Sequence, residues 1–237
     1  MPSNTKKQSR TQSVHPWRLC PYGQHWVRDH QRSNAKYGVH GYCRHNRSGK
    51  DELQELEMEE IADRNFKKLK GSPCSKTLNF PQGNKFDVLI RGWTRYWNDV
   101  LKPKEPLDPN LVKAIIATKS GFRARAENPG NRRIGKARGL MQITEQTWRI
   151  LKDERGELKN HFVILDQGDL FNANQNICAG IRWLFRKKET ATATLKREVS
   201  WIEAVANYKS YLKDFLKNPN HAKMKEFTEL YEILKKC

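Results

Sequence analysis

The stretch Phe86–Leu101, FDVLIRGWTRYWNDVL, sets apolar and aromatic residues at three- and four-residue steps, the spacing that gives a helix one buried face. LVKAIIATKSGF (Leu111–Phe122) is apolar enough for a buried helix, and the helical pattern returns at about 144–154, 172–188, 200–216 and 221–235. Pro103, Pro106 and Pro109 punctuate the loop between the first two helices. Between Phe122 and Ile143 the periodicity lapses into a glycine-bearing stretch long enough for a small hairpin. Residues 50–70, KDELQELEMEEIADRNFKKLK, form a charged amphipathic helix with acids early and lysines late, as the helix dipole favours. Strand signals are otherwise sparse, and no internal repeat is present. The expected fold class is mainly α.

The pattern divides the chain into four. Residues 1–14 have too few apolar side chains to bury and read as a disordered basic tail. Residues 15–48 concentrate cysteine, histidine and glycine in a small module of their own, 49–80 read as a linker helix bridging the modules, and 81–237 as the main domain. No apolar run of about 18 residues appears, so no segment is expected to span a membrane. The opening MPSNTKKQSRTQSV is polar and basic with no apolar segment behind it, which is not the pattern of a secretory signal; export is expected by another route.

Lys and Arg number 45 against 26 Asp and Glu, a formal charge of +19. A balance that basic suits an anionic polymer: nucleic acid, an acidic membrane face or cell-wall glycan. Five cysteines, at 20, 43, 74, 178 and 237, are odd in number and widely scattered, which argues against a disulfide framework. Cys178, within NICAGIRWLF, reads as a buried small hydrophobe.

Cys20, His25, His30 and Cys43 offer two thiolates and two imidazoles, a donor set that suits structural Zn2+, with His40 and His45 as substitutes. The spacing matches no common finger. Zinc is the preferred reading because so short a segment has little core and needs a staple; a reduced basic module and a Cys20–Cys43 disulfide are the alternatives. Trp17, Tyr22, Trp26, Arg28 and Arg32 would bind glycan, nucleic acid or a delivery partner, or serve as that module's core.

Four motifs follow one another in the second half: a helix ending in TKSGF, then GKARGLMQI (Gly135–Ile143), NICAGIRWL (Asn176–Leu184) and AVANYK (Ala204–Lys209). In this order they resemble the lysozyme-like domain of soluble lytic transglycosylases and goose-type lysozymes, over roughly residues 107–211. The resemblance implies an α-helical domain that cuts the bond between N-acetylmuramic acid and N-acetylglucosamine in peptidoglycan. It places the catalytic glutamate of that family at position 119, where this chain has Lys119, while Ser120 and Phe122 fit the pattern. It also implies that Met141 and Gln142 line the cleft floor and that Tyr208 faces the catalytic position; Glu127, in the AENPGN loop, faces either solvent or the cleft, where polar groups opposite the acid are wanted. Lys209 replaces the asparagine usual after that tyrosine.

A carboxyl is wanted at 119 because glycoside cleavage delivers a proton to the leaving oxygen while positive charge grows on the sugar ring. Lysine has an unperturbed pKa near 10.4 and its cation repels that centre, so the chain as written is expected to have little or no activity. Three accounts of Lys119 stay open: an introduced or accidental replacement of glutamate, a naturally inactive glycan-binding relative, or catalysis by another acid such as Glu127 or Glu145, the last sharing its place with a mistaken alignment of the motif. The resemblance and the leaderless start together imply a phage lysis enzyme or an antibacterial effector acting in a target cell's periplasm, with a secretion-apparatus component and a cognate immunity protein as partners. The rival readings are a zinc-stapled nucleic-acid-binding protein, which leaves the ordered motifs to coincidence, and a non-catalytic wall-binding protein.

Overall fold

The computed structural model describes residues 15–28 and 40–237; the expected tail, His30 and Arg32 lie outside the described residues. In chain order, β1 (Gln24–Val27) and β2 (Tyr42–His45) form an antiparallel hairpin with Trp26 opposite Cys43. β3 (Glu52–Gln54) runs into α1 (Glu55–Asn65), followed by α2 (Asp87–Leu101) and α3 (Pro109–Ser120). The strands β4 (Glu127–Asn131), β5 (Gly135–Arg138) and β6 (Ile143–Thr144) make a three-stranded antiparallel sheet. Then come α4 (Glu145–Lys152), β7 (Phe162–Ile164), α5 (Ala173–Leu195), α6 (Trp201–Tyr208), α7 (Leu212–Lys217) and α8 (Ala222–Lys235). The fold is mainly α, with the hairpin where the helical period lapsed.

Two helices differ from the pattern-based expectation. The charged helix begins only at Glu55, because Glu52–Gln54 pair in parallel with Phe162–Ile164, a partner invisible to any local period. Nor does α1 stand apart as a bridge: Met58, Ile61 and the following Phe66 belong to the same core as Trp93, Ile116 and Ile177. The helix expected over 200–216 is broken in two at Lys209 and Ser210, the latter at φ 68°.

The cysteines require the larger correction. Cys20 is bonded to Cys43, and Cys74 to Cys237, leaving only Cys178 free and buried. The first pair is an alternative that the sequence left open beside zinc, and scatter hid the second; the fold brings the two pairs to Cα separations of 5.5 and 5.8 Å. The zinc set does not fit this arrangement: the sulfurs of Cys20 and Cys43 are spent on each other, and His25 Nδ1 lies 2.7 Å from the side-chain oxygen of Asn46. No group of three or more potential ligands is gathered among the described residues. The staple that so small a module needs is the disulfide.

That module is anchored by charge as well. Arg18, almost wholly buried, pairs with Asp51, approaches Glu57 at 3.6 Å and donates to the Glu52 carbonyl at 2.8 Å. Asp51 also holds His161 Nδ1 at 2.9 Å, and these partners keep its carboxyl below the usual range despite burial. Trp17 and Tyr22 pack onto the main core, which answers the question of their role in favour of packing.

Helix α3 is fixed at both ends. Asp108 caps its N-terminus by accepting from the Asn110 N–H at 2.8 Å, Pro109 occupies the first turn, and Gly121 ends it in the left-handed region at φ 56°. Its body, Leu111 to Ala117, is buried between α2 and α8. The Tyr231 hydroxyl of α8 donates to Asp108 at 3.0 Å, so the two helices are also joined by a polar contact.

Candidate active site

The site is built where α3 ends. Gly121 and Phe122 take left-handed backbone in succession, φ 56° and 60°, and swing the chain out of α3 towards the hairpin. A phenylalanine in that region is strained, and it is held there by complete burial of its ring against Phe80, centroids 5.5 Å apart. Ser120 is buried and its hydroxyl donates back to the Ile116 carbonyl at 3.1 Å, so it finishes the helix.

Gln142 is a second strained residue, at φ 56°. Its side-chain nitrogen donates to the carbonyls of Gly139 (2.8 Å) and Ala126 (3.1 Å), and its oxygen accepts from Asn128. The amide expected to reach for sugar is thus consumed in bracing the hairpin. Met141 is wholly buried; its N–H donates to Asn176 and its carbonyl accepts from the Tyr208 hydroxyl, both at 2.8 Å. Gly180 of α5 permits this packing, because a Cβ there would run into the Met141 side chain. Asn176 donates in turn to the carbonyls of Arg138 and Leu170.

So the four motifs, far apart in sequence, meet: Asn176 and Gly180 hold Met141, Met141 holds Tyr208, and the ring of Tyr208 lies beneath the Lys119 ammonium, 5.6 Å from Nζ to the ring centre. The family model of the transglycosylase SLT domain matches residues 97–230, more than half of the chain. The chain belongs to the SLT family. No curated protein and no solved structure matches it. An SLT domain is of the lytic transglycosylase type, whose substrate is peptidoglycan.

Against that SLT scaffold the charges at the end of α3 stand out. Lys119 is half-buried and, among the described residues, makes no hydrogen bond or ion pair. Burial, and next the like charge of Lys209, lower its pKa to about 8. Lys209 donates to the Thr118 hydroxyl at 3.1 Å, and its own pKa is lowered by burial, with only Glu226 opposing. The acids proposed as substitutes are engaged elsewhere. Glu127 is exposed, bonded to Lys136 (2.8 Å) and Arg138 (2.9 Å), and these bonds lower its pKa, which is the wrong direction for a proton donor. Glu145 follows the Thr144 cap of α4 and pairs with Arg138 at 3.2 Å and Gln167 at 3.1 Å. Two larger surface cavities of the SLT domain and its flank, about 420 Å³ beside Arg91 and Pro106 and about 560 Å³ between α5 and α7, are not lined by Lys119; the site is identified by its side chains rather than by cavity size.

Sequence reasoning overlooked Asn176 as a site residue and left Lys209 as a mere departure from pattern. The first carried a signal, its place in the third motif; the proximity of the second to Lys119 is tertiary.

Proposed function

We propose that this SLT domain engages peptidoglycan glycan strands at the end of α3 and leaves the bond between N-acetylmuramic acid and N-acetylglucosamine uncut, or cuts it only feebly. The observation that carries this is Lys119, a cation on an SLT scaffold at the place where the resemblance puts a carboxyl, with no carboxylate bonded to it among the described residues. Burial brings the lysine nearer to the range of a working acid, but that does not repair the charge. A glutamic acid that gives up its proton becomes an anion facing the developing sugar cation; a lysine that does so becomes a neutral amine and offers that cation no compensation.

Replacing Lys119→Glu and following the turbidity of purified sacculi tests the reading, with product masses to separate reducing ends from anhydro ends. General acid catalysis is worth roughly 10²- to 10⁴-fold, and a gain of that size is expected. An inert but folded revertant would remove the enzyme scaffold from the reading; rapid clearing by the unmodified chain would remove the inactivity.

The two disulfides fit work in an oxidising compartment such as the periplasm. Delivery to a rival's periplasm as an effector, or release during phage lysis, belongs to the same reading, with an immunity protein as partner. Protection of target cells by a neighbouring gene product, and its co-purification with this chain, is the check.

A further inference from the structure

The two departures from the SLT pattern, Lys119 and Lys209, are not independent. They flank one tyrosine: Lys119 sits over the ring of Tyr208, and Lys209, the next residue, reaches back across to Thr118, the neighbour of Lys119. Their mutual repulsion is the second largest influence on Lys119 after burial. Elsewhere the chain pairs its buried lysines. Lys113 meets Asp87 and the Cys74 carbonyl, and Lys188 meets Glu198 and the Val199 carbonyl. Near Tyr208 two half-buried ammonium groups lie close enough to repel each other, and among the described residues no carboxylate is bonded to either, Glu226 acting on Lys209 by through-space attraction alone. Such a pair costs folding free energy unless something anionic arrives, and an approaching carboxylate would relieve both desolvation and repulsion.

We infer that Lys119 and Lys209 form a carboxylate-binding site, and that the glycan taken by this domain is one carrying a free carboxylate, held by charge-assisted hydrogen bonds from the two ammonium groups. The inference rests on the glycan-strand reading above and deepens it by naming which strands are preferred. Two sources offer the chemistry. One is the lactyl carboxylate of a muramic acid from which the peptide has been removed; the other is a carboxylate of the stem peptide. The steric position favours the lactyl group, which is attached directly to the sugar ring and needs no long reach to a half-buried site. The same positive pair that opposes sugar-cation formation then serves recognition, and the loss of one activity supplies the means of the other.

Equilibrium titration of the full chain with four probes at pH 6.5 and low salt tests it. The probes are chitotetraose, the tetrasaccharide of alternating N-acetylglucosamine and N-acetylmuramic acid with free lactyl groups, the same tetrasaccharide with stem peptides attached, and a sugar-free oligoglutamate peptide. Binding of the free-lactyl strand at least about tenfold tighter than chitotetraose is expected, the size of one good charge-assisted contact. That preference should shrink in Lys119→Met and Lys209→Met and with added salt. It should also fade as pH rises through 8, while chitotetraose affinity stays level.

Tighter binding of the peptide-bearing strand would assign the carboxylate to the stem. Equal affinity for chitotetraose and both carboxylated strands would overturn the carboxylate site and leave the glycan reading standing. Binding of oligoglutamate alone would overturn both in favour of an acidic protein partner, and no binding of any probe would overturn both outright. Because a methionine could disturb packing, Lys119→Gln and Lys209→Gln serve as second variants, accepted only if their thermal unfolding remains cooperative.

Discussion

Helix α3 carries two lysines in very different circumstances. At its N-terminal end Lys113, with no exposed surface, places its ammonium 2.8 and 2.9 Å from the two oxygens of Asp87 and donates also to the Cys74 carbonyl. At its C-terminal end Lys119 has, among the described residues, an aromatic face below it and the like charge of another lysine acting on it, with no hydrogen bond or ion pair. Burial pushes both towards the neutral amine, but for Lys113 the pairing with Asp87 opposes that push, whereas for Lys119 the neighbour adds to it. One end is organised for stability and the other carries a cost. The kind of charge that Asp87 answers six residues away has no bonded carboxylate at this end among the described residues, and that is what the proposed carboxylate would supply.

The contrast can be tested by breaking each end in turn. Removing the partner at the first end, Asp87→Ala, strands a buried ammonium and is expected to cost about 3–5 kcal/mol in denaturant unfolding. A loss below about 1 kcal/mol would mean that the paired end is no better settled than the other. Cutting the covalent support of the same end, Cys237→Ser, frees the segment around Cys74 whose carbonyl Lys113 uses; about 2–4 kcal/mol should be lost under oxidising conditions. With a reductant present the variant and the unmodified chain should unfold together, and a persistent gap would assign the effect to packing instead.

The smallest effect has the opposite sign. Lys119→Met is expected to stabilise the protein at pH 7 by about 1–3 kcal/mol, since a half-buried charge is exchanged for an apolar side chain. The folded-state pKa of Lys119, about 8, lies below the ordinary 10.5. Between those values the unfolded chain holds a proton that the folded chain has lost, so the stability of the unmodified protein rises with pH across that window. The advantage of the methionine variant should therefore be full below pH 8 and shrink towards pH 10.5. A gap that does not change with pH would show that charge is not its origin.

Periodicity was a sound guide wherever one helix face meets the core. The helix expected over 86–101 is α2, those near 172–188 and 221–235 are α5 and α8, and the lapse between Phe122 and Ile143 is a hairpin. It failed where structure is decided by distant chain. The parallel pairing of Leu53 with Val163 turns the start of a supposed helix into strand, and the strained turn at Ser210 cuts another in two. Cysteine spacing misled for the same reason, as Cys74 and Cys237 lie 163 residues apart. At the site the fold sets Lys119 over Tyr208 and Tyr208 against Met141, residues that motif order named, while the side-chain contacts are not those expected of them. Gln142 spends its hydrogen bonds on two carbonyls and the Asn128 side chain, and Ser120 on the Ile116 carbonyl, which no one-dimensional pattern reveals.

The parallel pair of β3 and β7 sets a practical limit on dissection. Beyond the ladder itself, the Asp51 N–H donates to Asn160 at 2.7 Å, the Phe162 N–H donates to the Asp51 carbonyl at 3.0 Å, and Leu53 and Phe162 are both wholly or nearly wholly covered. A fragment trimmed to begin at residue 97 would leave β7 as a bare apolar rim with unanswered amides, an invitation to pair with its own copies. The span that defines membership is therefore smaller than the piece that can be expressed by itself, and the upstream hairpin with its short strand is part of the hydrophobic seal.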